Sequence, residues 1–225
     1  MWPCRVNRVA TSHLGSGQLA SFAAVEGVGK SIERLLQSCF VNDEPVAGKN
    51  TKAKLVRTED FENKGARIPR PALSIFLYRV EINRTMRPSW AAVGSLDGRG
   101  HLPLDLHFLL TPWADNAESE YLVLGKTMEC LEATPILSGP LLYEPPSTPT
   151  PPFPFARWAP NEAIQLIAEE ITTEAVMRTF DSLEADYKLS VPYVARVVRV
   201  DTRVGETDKP VTSIVRGAAP SAEQP

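Results

Sequence analysis

Between Pro71 and Thr85 apolar residues fill alternate positions: Leu73, Ile75 and Leu77 on one face of an extended strand, Phe76, Tyr78, Val80 and Ile82 on the other. Both faces are apolar near the start, which predicts a strand inside a sheet covered on both sides. A turn at Asp97 to Gly100 leads into a second long strand, with Leu102, Leu104, Leu106, Phe108 and Leu110 on one face and Asp105 and His107 on the other. In "KLSVPYVARVVRVDT" the alternation sets Tyr193, Ala195 and Val197 against Val194, Arg196, Val198 and Val200, and this last long strand closes the fold. The shorter runs "KLVRTEDF" and "EAIQLIAEEI" also read as strands.

Elsewhere the period changes to that of a helix. Phe22, Val25, Ile32 and Leu36, with Leu35 beside them, predict an amphipathic helix from Ser21 to about Phe40, capped by Ser21. Gly27 and Gly29 inside it cost about 1 kcal/mol each relative to alanine, and their smallness lets another element pack close. Tyr121, Leu124, Met128 and Leu131 mark a second helix, with Glu118 and Glu120 in its first turn and Thr134 and Pro135 ending it. A third, capped by Thr172 or Thr173, buries Val176, Phe180 and Leu183. Residues 139–160 hold eight of the chain's twenty prolines, so they form a long surface loop, extended in part as polyproline II. Residues 1–20 read as a flexible polar leader and 204–225 as a polar C-terminal tail. The resulting expectation is one α/β (α+β) domain over 21–203, with a mixed or mostly antiparallel central sheet flanked by about three helices.

Composition narrows the function classes. With 225 residues, 43% of them hydrophobic and 23% charged, the chain supports one substantial core. A net charge of -3 gives no electrostatic basis for nucleic acid as a partner. No apolar run reaches the roughly 20 residues that cross a bilayer, so no direct membrane insertion is expected. Arg5 and Arg8 are followed by Thr11, Ser12, His13, Ser16 and Gln18, which break any signal-peptide core and leave the reducing cytoplasm as the expected place of synthesis. Cys4, Cys39 and Cys130 form neither a disulfide framework nor a zinc motif; Cys39 and Cys130 read as small buried hydrophobes.

The chemistry of a catalyst is not spelled out. "AAVEGVGKS" ends like a phosphate-binding loop in Gly29, Lys30 and Ser31, but the opening glycine of that motif falls on Ala24, and no β-branched strand precedes it. His13, His101 and His107 stand apart and read as surface histidines, so no metal is expected. "GSLDG" has its serine one place early for a nucleophile elbow. Glu169 and Glu170 project to opposite faces of a strand and share no site. The reading is therefore not an enzyme, with no cofactor; long strands and a stiffened loop suit a part that joins other chains, for example by strand addition at an open edge.

The blocks "RPALSIFLYRVEIN", "LPLDLHFLLTPWAD" with "YLVLGKTMECLEATPIL", and "YKLSVPYVARVVRVD", in this order with the proline-rich loop before the last, resemble the cap or tail-terminator proteins of phage-tail-like contractile injection systems, from about Phe22 to Thr202. Departures from the pattern are a leader before Ser21 longer than usual and the absence of a second C-terminal domain that some relatives carry. The resemblance implies a structural subunit that forms a homohexameric ring on the baseplate-distal end, stops tube polymerisation and joins the last sheath layer to the inner tube. Its implied partners are itself, the sheath protein and the tube protein, with assembly in the cytoplasm into a particle that is released or anchored. Candidate contacts are Phe153, Phe155 and Trp158 in the proline loop and Arg196 and Arg199 on the last strand. The alternatives are a baseplate or adaptor protein of the same particle, or a nucleotide-binding enzyme using Gly29, Lys30 and Ser31.

Overall fold

The computed structural model describes residues 22–91, 100–144, 158, 161–183 and 185–201. In chain order they form α1 (Ala24–Asn42), β1 (Lys52–Val56), α2 (Glu62–Gly65), β2 (Ala72–Ile82), α3 (Arg87–Trp90), β3 (His101–Trp113), α4 (Ala117–Ala133), β4 (Ile136–Ser138), β5 (Ala163–Ala168), α5 (Thr173–Ser182) and β6 (Val191–Asp201). All six strands join one sheet in the order β1-β2-β3-β6-β5-β4. β1 and β2 are parallel and every other neighbouring pair is antiparallel, so the sheet is mixed, as expected. A parallel pair needs a crossover, which residues 57–71 supply through a 3-10 turn and α2.

α1 and α4 cover one face of the sheet. Their side chains Val28, Ile32, Leu36, Phe40, Val123 and Leu131 meet Leu73, Ile75, Leu106, Phe108, Leu110, Ile164 and Ala195 in the main core. Each fully buried Leu, Ile or Phe there contributes about 1.5–3 kcal/mol. α5 and the segment around α2 cover part of the opposite face with a smaller cluster of Phe61, Ile68, Leu109, Trp113, Val176 and Phe180.

The helices follow their expected spans with shifted faces. α1 begins at Ala24, and the stripe it buries is Ala24, Val28, Ile32, Leu36 and Phe40; Phe22 is exposed, and Val25 and Leu35 pack only at the margin. The glycines do admit close neighbours: a Cβ on Gly27 would lie 2.6 Å from the Trp158 ring, and one on Gly29 3.1 Å from Leu55. α4 buries Val123, Leu124, Thr127, Cys130 and Leu131, while Tyr121 and Met128 face outward. Thr127 hides this stripe in the sequence, yet its hydroxyl is satisfied by donating to the Val123 carbonyl. Cys130 is buried and Cys39 half-buried; burial first, then the neighbouring Cys39, pushes the Cys130 thiol up to about 12. α5 starts as expected, with the Thr172 hydroxyl accepting from the Ala175 amide.

Two bulges overturn the simple alternation. Leu77 pairs with Phe108 and Arg79 with His107, leaving one extra residue on β2, so Val80 and Ile82 share the face of Leu73 and Ile75 and not that of Phe76. Leu104 pairs with Val198 and Leu106 with Ala195, leaving one extra residue on β6. Tyr193 and Ala195 before it and Val198 and Val200 after it consequently meet the same core. β6 also lies between β3 and β5, in the middle of the sheet.

Among the shorter elements, the expected strand "KLVRTEDF" begins earlier, at Lys52, and gives way to a 3-10 turn over Thr58–Asp60. β4 has three residues, too few for alternation to show. The outward amides of β1 are closed by α1: Ala53 donates to Gln37 Oε1 (3.1 Å) and Leu55 to Glu33 Oε1 (2.9 Å). The leader, Ser21, most of the turn at Asp97 to Gly100, most of the proline-rich loop and the C-terminal tail lie outside the described residues.

Candidate functional site

β2, β3 and β6 run past the cover of α5, and on that face their alternate positions carry charge in place of apolar side chains. The first node is built round Glu169, just beyond β5. Its Oε1 accepts from Arg79 Nη2 at 2.8 Å, and its Oε2 accepts from the Tyr78 hydroxyl at 3.1 Å and lies 2.8 Å from His107 Nδ1. The β2 bulge makes this possible by turning the neighbours Tyr78 and Arg79 toward one carboxylate. Arg79 Nη2 also lies 3.1 Å from His107 Nδ1, so this ring nitrogen sits between a guanidinium and a carboxylate. His107 Nε2 is buried without a hydrogen-bond partner among the described residues, 3.6 Å from Glu81 Oε2. Burial, reinforced by the charge of Glu169, pushes the Tyr78 hydroxyl up to about 12.

A second node lies nearer the ends of the strands. Asn83 Nδ2 donates to both oxygens of Asp105 at 3.1 Å, and Asn83 Oδ1 accepts from the Met86 amide, fixing the exit of β2 into α3. Glu81, Asp105 and the exposed Arg196 line an open groove of about 600 Å³ with Val80 and Asn83. The third node is mostly buried: His101 Nδ1 lies 2.5 Å from Asp201, Arg199 Nε is 3.2 Å from the same Asp201 oxygen, and Arg199 Nη2 is 3.5 Å from Glu162. Burial raises the Glu162 carboxyl above its ordinary range, and Arg199 opposes that shift. The Trp90 ring of α3 meets His101 edge-on at 6.5 Å.

Chemically this is a row of paired charges on rigid strands. No group of three or more His, Cys, Asp or Glu side chains among the described residues could hold a metal ion. Charges fixed in register are suited to selecting a partner surface by sign and position. Glu169→Ala leaves Tyr78, Arg79 and His107 without their common acceptor. It is expected to cost about 1–3 kcal/mol, readable as a lower urea midpoint, with Glu169→Gln retaining part of the loss.

The residues singled out from sequence are divided by the structure. Arg196 is exposed on the groove, while Arg199 is largely enclosed in its ion cluster. Trp158 is half-buried over Gly27 and donates from Nε1 to the Tyr143 carbonyl at 2.9 Å. Phe153 and Phe155 lie outside the described residues. His101 and His107, expected at the surface, are both buried, because each has a carboxylate partner far along the chain. The placing of Asp105 and His107 on one strand face was the available signal for this row; Glu169 and Asp201 as partners had none.

Gly29, Lys30 and Ser31 lie inside α1, where helical bonds occupy the amides that a phosphate would need. Lys30 pairs with Glu33 at 2.7 Å, and the fully buried Ser31 hydroxyl donates to the Gly27 carbonyl and accepts from the Tyr143 amide, both at 2.7 Å. The serine is thus a bolt between α1 and the segment after β4. Ser31→Ala strands the Tyr143 amide and is expected to cost about 1–3 kcal/mol in thermal or urea unfolding, whereas Lys30→Ala is expected to stay within about 1 kcal/mol.

Residues 27–214 match the model of the Pvc16 N-terminal domain. The chain belongs to that family. This agrees with the tail-terminator resemblance carried by the three sequence blocks. Among solved structures, the Pvc16 N-terminal domain here is similar to the PVC sheath/tube terminator of an extracellular contractile injection system in its extended state, with 17% identity and a TM-score of 0.51 over 91% of this chain. It is also similar to the tube-terminating cap of the anti-feeding prophage, with 15% identity and a TM-score of 0.45 over 85% of this chain. The chain covers 65% and 60% of those two proteins. None of the curated proteins matches this Pvc16 N-terminal domain.

Proposed function

We propose that this chain is a structural cap of a contractile injection system, a tail terminator that ends tube and sheath polymerisation and joins the last sheath layer to the tube. The observation that carries the reading is the Pvc16 N-terminal domain match across residues 27–214. The likeness in fold to a sheath/tube terminator supports it. The described surface fits as well: the long strands hold paired charges in fixed register, and Arg196, Glu81 and Asp105 sit at an open groove.

In this reading the chain acts without catalysis or cofactor. It assembles in the cytoplasm as a homohexameric ring whose head-to-tail interfaces close on themselves, and its partners are the sheath and inner tube proteins. No described helix is long and apolar enough to cross a membrane, so the chain would join the particle through protein contacts. Deleting the gene tests the proposal. Tubes of uncontrolled length with detached sheaths are expected, and a parental length distribution with sheaths attached would overturn it.

A further inference from the structure

α1 and α4 lie side by side on the sheet, and one ion pair fixes how they meet: Lys126 Nζ of α4 is 2.5 Å from Asp43 Oδ2, at the C-cap of α1. Residues four apart share a helix face. One turn back from Asp43 stands Cys39, and one turn on from Lys126 stands Cys130, so along an antiparallel seam the two cysteines occupy the next rung. The contacts agree. Cys130 is buried in the main core, Cys39 packs against that core, and the Cys39 side chain is within hydrogen-bond reach of the Cys130 thiol. Two facing thiols, one of them half-buried and reachable from the surface, are the reactants of a disulfide.

We infer that Cys39 and Cys130 form a redox site, held as thiols under reducing conditions and joined as a disulfide that clamps α1 to α4 when a small-molecule disulfide such as oxidised glutathione is in excess. Cys39 begins the reaction: its thiolate attacks one sulfur of oxidised glutathione and expels the first glutathione as a thiolate. Cys130 then attacks the Cys39 sulfur of that mixed disulfide and expels the second. In sum the two protein thiols give up two electrons and two protons, and one glutathione disulfide becomes two glutathione thiols. The second step is the slower one, because burial holds the Cys130 thiol well above its ordinary range, while Lys126, one turn away, opposes that shift. The clamp falls on the helix that closes the outer edge of β1 through Gln37 and Glu33 and is bolted to Tyr143 through Ser31. Oxidation thus adds a covalent hold to these polar ones.

Treating the folded full chain with oxidised glutathione, quenching with an alkylating reagent and mapping the peptides by mass spectrometry tests this. The expected product is one intramolecular crosslink from Cys39 to Cys130, with Cys4 outside it and no glutathione retained on Cys39. In Cys130→Ser the second attack is lost, so Cys39 is expected to keep its glutathione. Thermal unfolding of the parent supplies a readout that needs no variant: closing a loop of about 90 residues is expected to raise the midpoint by about 5–10 °C, and a reductant should return it. Glutathione left on Cys39 of the parent, both thiols still free, a bond from either cysteine to Cys4 or to another chain, or a midpoint unmoved by the crosslink would each overturn the inference.

Discussion

Phe61→Ala is expected to lower stability by about 3–5 kcal/mol, the largest loss of any single substitution considered for this fold. Phe61 is fully buried between the sheet and α5, with ring centroids 5.3 Å from Phe76, 6.0 Å from Trp113 and 6.2 Å from Phe180. It is the centre of a small cluster, so neighbours cannot easily collapse into the space it leaves. Among the described residues no other aromatic meets all three of these rings. Urea unfolding followed by far-UV circular dichroism checks the value, and hydrogen exchange in α5 should rise more than in α1, which belongs to the other face. A loss below about 1 kcal/mol would show that the smaller cluster does not hold α5 down.

Gly65→Ala is expected to cost about 2–4 kcal/mol for two separable reasons. The residue has φ +67, a left-handed conformation that costs an L side chain about 1–2 kcal/mol. Its missing side chain also makes room for Trp113: a Cβ there would stand 2.4 Å from that ring. Gly48 provides the control, with φ +70 and nothing within 4 Å of an added Cβ. Gly48→Ala should therefore show the conformational cost alone, about 1–2 kcal/mol. Equal losses at the two glycines, measured by thermal unfolding, would mean that Trp113 moves aside freely.

The long strands and the three long helices were legible because their periods persist over many residues. α5 is the clearest instance, since its cap at Thr172 and its stripe of Val176, Phe180 and Leu183 were all readable. The faces were less so. A single extra residue at each of two bulges reversed the alternation of β2 and β6, and a bulge leaves no mark in the apolar pattern itself. In α4 the polar Thr127 occupies a core position, so counting apolar residues selected a stripe one step round the helix.

The charged face was only half visible for a related reason. Asp105 and His107 could be placed on one side of β3, but the partners that bury the histidines come from β2, the segment after β5 and the end of β6. Contacts such as His107 with Glu169, 62 residues apart, depend on strand order, which periodicity does not encode. The resemblance to tail terminators rested on blocks of sequence and was independent of this geometry. The structure adds a contact outside those blocks, α1 bolted to Tyr143 through Ser31, and a row of fixed charges on the part of the sheet that α5 leaves open.

The proposed role of this chain, closing one end of a contractile particle, can be tested by tagging the chain, purifying particles and imaging the tag with gold or by cryo-electron microscopy. A ring of label confined to the end opposite the baseplate is the predicted result. Label at the baseplate, or particles that carry none of the tagged chain, would contradict that role.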